Sequence, residues 1–199
     1  QEKERGQLDD VLSISPFVYV DKETQQGYFQ IDISLNQKST RLQSLNKEIL
    51  FLLDTSTSIS KAQLHSFTYA IEKSLDGLQG NDFFNIVSFT TKNKYLFNNY
   101  VPASQSNKQA AREFLAKAKS RGKTDVYRSL RPFITQKQSS EVPRIIYLAT
   151  DGVTTSFRGY EGSEIIRRST ADNTNGTSIF TLSCGEDSDA FLLDLLTLR

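Results

Sequence analysis

Two short apolar runs punctuate the chain, Ile49-Leu50-Phe51-Leu52-Leu53 and Ile145-Ile146-Tyr147-Leu148-Ala149. Each is too short for a helix and ends in polar residues, which predicts a strand buried on both faces. Phe83-Phe84-Asn85-Ile86-Val87-Ser88-Phe89 and Ser178 to Ser183 read as further strands, and Tyr95-Leu96-Phe97 as a short edge strand. Between them the apolar period changes from two to three or four. Leu64, Phe67, Ile71, Leu75 and Leu78 mark one face of a helix. Ser106 and Gln109 resemble a capping box opening a second helix, with Ala110, Ala111, Phe114, Leu115 and Ala118 facing in. Val126, Leu130, Phe133 and Ile134 mark a short helix, Ser163 to Asp172 another ended by Asn175-Gly176, and a last helix follows a cap at Asp187 or Asp189. Strands alternating with helices predict an α/β fold: a Rossmann-like open sheet, mostly parallel, with helices on both faces.

The first part of the chain has a different pattern. Phe17-Val18-Tyr19-Val20 and Tyr28 to Leu35 read as two strands, the second placing Phe29, Ile31, Ile33 and Leu35 on one face. The polar link from Asp21 to Gly27 suits a hairpin loop. The first dozen residues are polar, and Gln37 to Asn46 reads as a polar connector. The expected division is an N-terminal β-rich extension over residues 1–46 and the α/β domain over 47–199.

Candidate chemistry lies where the buried runs end. The first stops at Asp54-Thr55-Ser56-Thr57-Ser58, which offers one carboxylate and two hydroxyls at every second residue. Oxygen-only donors suit a hard divalent cation such as magnesium. The second stops at Thr150-Asp151-Gly152. In an open parallel sheet both tips lie on one edge, where ligands bind. Taken singly, Asp54, Ser58 or Ser60 would serve equally well as a helix cap, and so would Thr124 together with Asp125.

Asp54-x-Ser56-x-Ser58, the threonine of Gly122-Lys123-Thr124-Asp125, and Thr150-Asp151-Gly152, in that order, resemble a von Willebrand factor type A domain with its metal-ion-dependent adhesion site. The resemblance covers roughly residues 46 to 199. It implies that Ser56, Ser58 and Thr124 bind a metal directly, with Asp54 and Asp151 binding it directly or through water. It implies a divalent ion, Mg2+ or alternatively Mn2+ or Ca2+, that bridges to an acidic residue of a protein ligand. It also implies an extracellular, periplasmic or membrane-tethered setting. The family often has glycine where this chain has Thr57 and methionine where it has Ile59; neither position supplies a ligand.

Other classes fit less well. A phosphoryl hydrolase of the haloacid dehalogenase type needs a second carboxylate two residues after the first, and Ser56 stands there. There is no glycine-rich phosphate loop after the first buried strand and no GxSxG elbow. His65, the one histidine, falls among core positions and reads as a surface or packed residue. The expectation is a recognition module that is not an enzyme; the alternative is a structural module of a larger assembly whose metal only braces the loops.

Composition changes this picture little. Lys plus Arg number 24 and Asp plus Glu 23, a formal charge of +1, so nothing global points to nucleic acid or membrane. From Asn107 to Arg131, however, Lys108, Arg112, Lys117, Lys119, Arg121, Lys123, Arg128 and Arg131 face only Glu113 and Asp125. This run reads either as a solvated helix face or as attraction for an acidic partner. Cys184 is the one cysteine, so no internal disulfide can form, and its setting suggests a packed thiol at a strand end. No run is long enough to span a bilayer. A chain without methionine that starts at Gln1 is expected to be a fragment of a larger protein.

Overall fold

The computed structural model describes residues 11–36, 46–137, 142–154 and 161–197. The expected connector, apart from Asn46, lies outside these residues, as do residues 155–160. The chain divides into two compact units, Gln1–Leu45 and Asn46–Arg199.

The first unit contains an antiparallel hairpin of β1 (Leu12–Val20) and β2 (Gly27–Leu35). Asp21 closes its loop: its carboxylate accepts from the backbone N–H groups of Glu23 and Thr24, and Gln25 adopts φ 55°. Within the hairpin, side chains on both faces of the ladder are exposed. Phe29, Ile31, Ile33 and Leu35 are all exposed, and so are Phe17, Val18 and Tyr19. A two-stranded sheet has no second layer to bury against.

The second unit is built on one sheet in the order β5-β4-β3-β7-β8, with β6 pairing with β4. Its strands are β3 (Glu48–Asp54), β4 (Phe83–Phe89), β5 (Asn93–Tyr95), β6 (Val101–Pro102), β7 (Arg144–Ala149) and β8 (Ser178–Leu182). Strands β3, β4, β7 and β8 run parallel, while β5 and β6 run antiparallel to β4. Helices α1 (Lys61–Asp76) and α2 (Gln105–Ala116) contribute to the core on one face; α3 (Val126–Ile134), α4 (Gly162–Asp172) and α5 (Ala190–Thr197) contribute to the other. Strand β3 explains the two cores. Ile49, Phe51 and Leu53 pack with Phe67, Ile71 and Leu75 of α1, whereas Leu50 and Leu52 pack with Leu130 and Ile134 of α3. Successive side chains of a strand point to opposite faces, so a central strand covered on both reads as an unbroken apolar run.

Helix α1 starts at a capping box in which Ser60 accepts from the Gln63 N–H and the Gln63 side chain accepts from the Ser60 N–H. Helix α2 begins earlier than expected. Its cap is Ser104, which accepts from the Asn107 N–H, while the hydroxyl of Ser106 lies 3.1 Å from that of Ser104 inside the first turn. Of the expected inner face, Ala111 and Leu115 are buried and Phe114 and Ala118 are partly buried. Lys108 also turns inward and donates to the Leu78 carbonyl at 2.7 Å. The edge strand β5 lies two residues before its expected position, because Leu96 and Phe97 turn onto the core. Asp189 caps α5 through the Leu192 N–H.

The chain passes from β3 to β4 on one side, then returns to place β7 on the other side of β3. That reversal opens a crevice beyond the carboxyl ends of β3 and β7. Asp54 ends β3, and Thr150-Asp151-Gly152 directly follows β7. No helix among the described residues is long and apolar enough to cross a membrane.

Candidate metal centre

Asp54 is fully buried at the tip of β3. Its Oδ1 accepts from the Ser56 N–H at 2.8 Å, and its Oδ2 accepts from the Thr150 hydroxyl at 2.6 Å. Each oxygen keeps a further lone pair. Burial pushes this carboxyl up to about 6; hydrogen bonds from Thr150 and Ser56 oppose that rise, and the like charge of Asp151 adds to it. The influence of Asp151 puts the two carboxylates within electrostatic reach of each other.

The Asx turn made by Asp54 on Ser56 folds the loop back on itself. Ser56 is fully buried and Ser58 half-buried, and their hydroxyl oxygens are 2.9 Å apart. Ile59 anchors the end of the loop in the core. Thr57, at a position where glycine was an alternative, has no left-handed backbone. Its hydroxyl and its N–H both donate to the Gly122 carbonyl at 2.9 Å. Arg121 N–H donates to the Thr55 carbonyl at 2.7 Å, and the Thr55 hydroxyl donates to the Phe89 carbonyl. These bonds bring the loop holding Thr124 against the β3 tip. Thr124 is fully buried. The helix cap falls to Asp125, which accepts from the Arg128 N–H, so the two neighbours have separate tasks.

Asp151, 3% exposed, accepts from the Val153 N–H through Oδ1. Its carbonyl accepts from the Asp189 N–H at 2.7 Å, which ties the β7 tip to the start of α5. Gly152 has φ 78°, a conformation that side chains rarely adopt; a Cβ there would meet Asp189 Cβ at 3.2 Å and Leu193 Cγ at 3.3 Å.

The structure therefore brings the β3 loop against the 121–124 loop and joins Asp54 to the β7 tip. Thr57 and Thr150 hold this arrangement together, and sequence reasoning assigned neither. A threonine directly after a strand that pairs with β3 was the available signal for Thr150. His65 is exposed on α1. Cys184 is half-buried against the core just beyond β8, and its carbonyl accepts from the Gln63 side chain.

The donor chemistry suits a hard cation. No group of three or more His, Cys, Asp or Glu residues that could hold a metal occurs among the described residues, so any ion here must rely on hydroxyls as well as carboxylates. Two oxygens on adjacent vertices of a magnesium octahedron lie about 3.0 Å apart, given bonds of about 2.1 Å. The Ser56 and Ser58 hydroxyls are hydrogen-bonded to each other at 2.9 Å, a separation also compatible with that spacing.

The von Willebrand factor type A domain model matches residues 47–199. Human inter-alpha-trypsin inhibitor heavy chain H6 is 29% identical over 174 residues, covering 79% of this chain and 13% of its own length. Among solved structures, a von Willebrand factor type A protein from Catenulispora acidiphila aligns over 94% of this chain and 43% of its own, with a TM-score of 0.68 and 14% identity. Proximal thread matrix protein 1 from the mussel byssus, in a form with a zinc-occupied MIDAS motif, aligns over 77% of this chain and 41% of its own, with a TM-score of 0.61 and 17% identity. The chain thus spans only a part of these proteins. On the match over residues 47–199, with the sheet order and helical layers described above, the chain belongs to the von Willebrand factor type A domain family.

Proposed function

We propose that the domain is a divalent-cation-dependent protein-recognition module without catalytic activity, in which the metal bridges to an acidic residue of a partner protein. The observation that carries this reading is the convergence of oxygen donors at the crevice between β3 and β7: Asp54 bonded to Thr150, Asp151 within electrostatic reach, and the Ser56 and Ser58 hydroxyls at ligand spacing. Similarity to inter-alpha-trypsin inhibitor heavy chains and to a byssal thread matrix protein supports an interaction or adhesion role. The zinc-occupied MIDAS motif of the byssal protein supports a divalent ion in a domain of this fold.

Ser56, Ser58 and Thr124 would hold the ion through neutral hydroxyls, and Asp54 and Asp151 would balance its charge directly or through water. The bound ion would act as a Lewis acid, taking a carboxylate oxygen from the partner. Neutral hydroxyl donors preserve that capacity, since they add no negative charge beyond that of the two carboxylates. The chain's own contribution is positional: the Thr150 and Ser56 hydrogen bonds fix the Asp54 rotamer, and the Thr57–Gly122 bonds set the loop that carries Thr124. A site that only braces its loops would use the same residues. A phosphoryl hydrolase would need a carboxylate at Ser56.

Calorimetric titration with magnesium or manganese tests the assignment. Binding is expected for the wild type and not for Asp54→Ala; equal binding by both would reject the site. Ser56→Ala combined with Ser58→Ala is expected to weaken affinity while leaving circular dichroism near native.

A further inference from the structure

Beside the metal loop, a cleft of about 230 Å3 is lined by Lys94, Lys117, Lys119 and Arg121 together with Thr55 and Ser88. Thr55 lies between Asp54 and Ser56, and Ser88 is the penultimate residue of β4, so the cleft occupies the same carboxyl edge of the sheet as the candidate centre. No carboxylate lines it.

The four cations come from two places. Lys94 pairs with Ser88 in the β4–β5 ladder, and its ammonium sits 5.5 Å from the Phe114 ring centroid. Lys117, Lys119 and Arg121 come from the chain between α2 and α3, held to the metal loop by the bond from Arg121 N–H to the Thr55 carbonyl. The rest of the basic run is largely engaged within the domain. Lys108 donates to Leu78, Arg112 pairs with Asp76, Arg128 lies 4.0 Å from Asp125, and Arg131 pairs with Asp172. None of the four cleft cations forms an ion pair with a carboxylate among the described residues. Positive charge is therefore concentrated at one concavity, where it raises the local potential for anions.

We propose that this cleft binds acidic side chains of the partner protein, flanking the carboxylate taken by the metal. The proposal deepens the preceding reading and rests on it for the partner's placement. A compact patch favours an acidic protein segment over a sulfated polysaccharide. A repeating polyanion needs a track of accessible cations, and here Arg112, Arg128 and Arg131 already face carboxylates of the domain. The larger cavity, about 330 Å3 and lined by His65, Tyr69 and Glu72 among others, shares only Ala118 with this cleft and carries an acid of its own.

The test uses a fluorescein-labelled hexaglutamate peptide with the full chain in EDTA, read by fluorescence anisotropy at low salt. Binding is expected, weakened at least tenfold in the triple variant Lys117→Ser, Lys119→Ser, Arg121→Ser. The control pair Lys61→Ser, Lys73→Ser on α1 is expected to bind as the wild type does. Magnesium affinity of the triple variant is expected not to fall, which shows the fold and the metal loop to be intact. Failure to bind, equal weakening in the control, or tenfold tighter binding of a heparin hexasaccharide through the same residues would overturn the proposal. Peptide binding without magnesium binding would retain the cleft and reject the metal reading; magnesium binding without peptide binding would do the reverse.

Discussion

Thr150 donates its hydroxyl proton to Asp54 Oδ2 across 2.6 Å of fully buried space, linking the ends of two neighbouring strands. The same hydroxyl oxygen accepts from the Gly152 N–H at 3.1 Å, so one threonine orients both the carboxylate and the turn after β7. Thr150→Val keeps the shape and removes both bonds. We expect magnesium affinity to fall roughly tenfold, the low end of what loss of a bond supporting a metal ligand costs. Titration calorimetry would measure it, and an unchanged affinity would show that Thr150 does not position Asp54.

The carboxyl of Asp54, pushed up to about 6 from an ordinary 3.8, has a defined signature in the metal-free protein. Between those values the folded chain holds a proton that the unfolded chain has released. The Asp54 contribution to stability is therefore full below about pH 4 and falls as pH rises to about 6, by an amount on the order of 2–3 kcal/mol. Asp54→Asn should abolish this fall. Glu164 acts in another window: hydrogen bonds from Arg167 and Arg168 hold it down to about 2, so its contribution is lost only as pH falls below its unfolded value. Urea unfolding of both proteins in EDTA from pH 4 to 7 separates the two effects; parallel curves would refute the Asp54 assignment.

Gly152→Ala places a methyl group 3.2 Å from Asp189 Cβ on a backbone at φ 78°. The left-handed conformation alone costs roughly 1–2 kcal/mol in a residue with a side chain. We expect a loss of about 2 kcal/mol and weaker metal binding, because Asp151 precedes the displaced residue. A thermal midpoint equal to wild type would contradict this account of the turn.

At the opposite end of the same strand pair, Arg144 donates to Glu48 Oε2 from Nε and Nη2 at 3.1 and 2.8 Å, its side chain 3% exposed. The guanidinium also lies 5.4 Å from the Tyr100 ring centroid. Glu48→Ala leaves that buried cation without its counterion, and a loss of about 3 kcal/mol is expected. Chemical denaturation would measure it. Magnesium affinity should not change, since the substitution is at the far edge of the sheet.

Much of the fold was legible because burial on both faces leaves an unmistakable mark. Strand β3 carries an unbroken apolar run covered on both faces, whereas β7, expected to be the same, leaves Tyr147 exposed and Ile145 only partly covered; α1 shows its inner face at three- and four-residue steps. The hairpin strand β2 was legible from its alternation, which sets Phe29, Ile31, Ile33 and Leu35 on one face. Lys108 reads as a surface charge, yet its aliphatic stem enters the core and its ammonium finds the Leu78 carbonyl, a contact set by where α1 ends. The candidate donors were legible by residue type and order. The supporting hydrogen bonds of Thr57 and Thr150 were not, because each reaches a residue far along the chain.

Thr57 grips the Gly122 carbonyl twice, through its hydroxyl and its backbone. A tug on Ser58 from outside would therefore not stop at its own turn. It would travel through that double tether to residues 121–124, and from there to Asp125 and the first coil of α3. In mechanical terms the two segments behave as one lever, so load placed on one is shared by a helix more than sixty positions downstream.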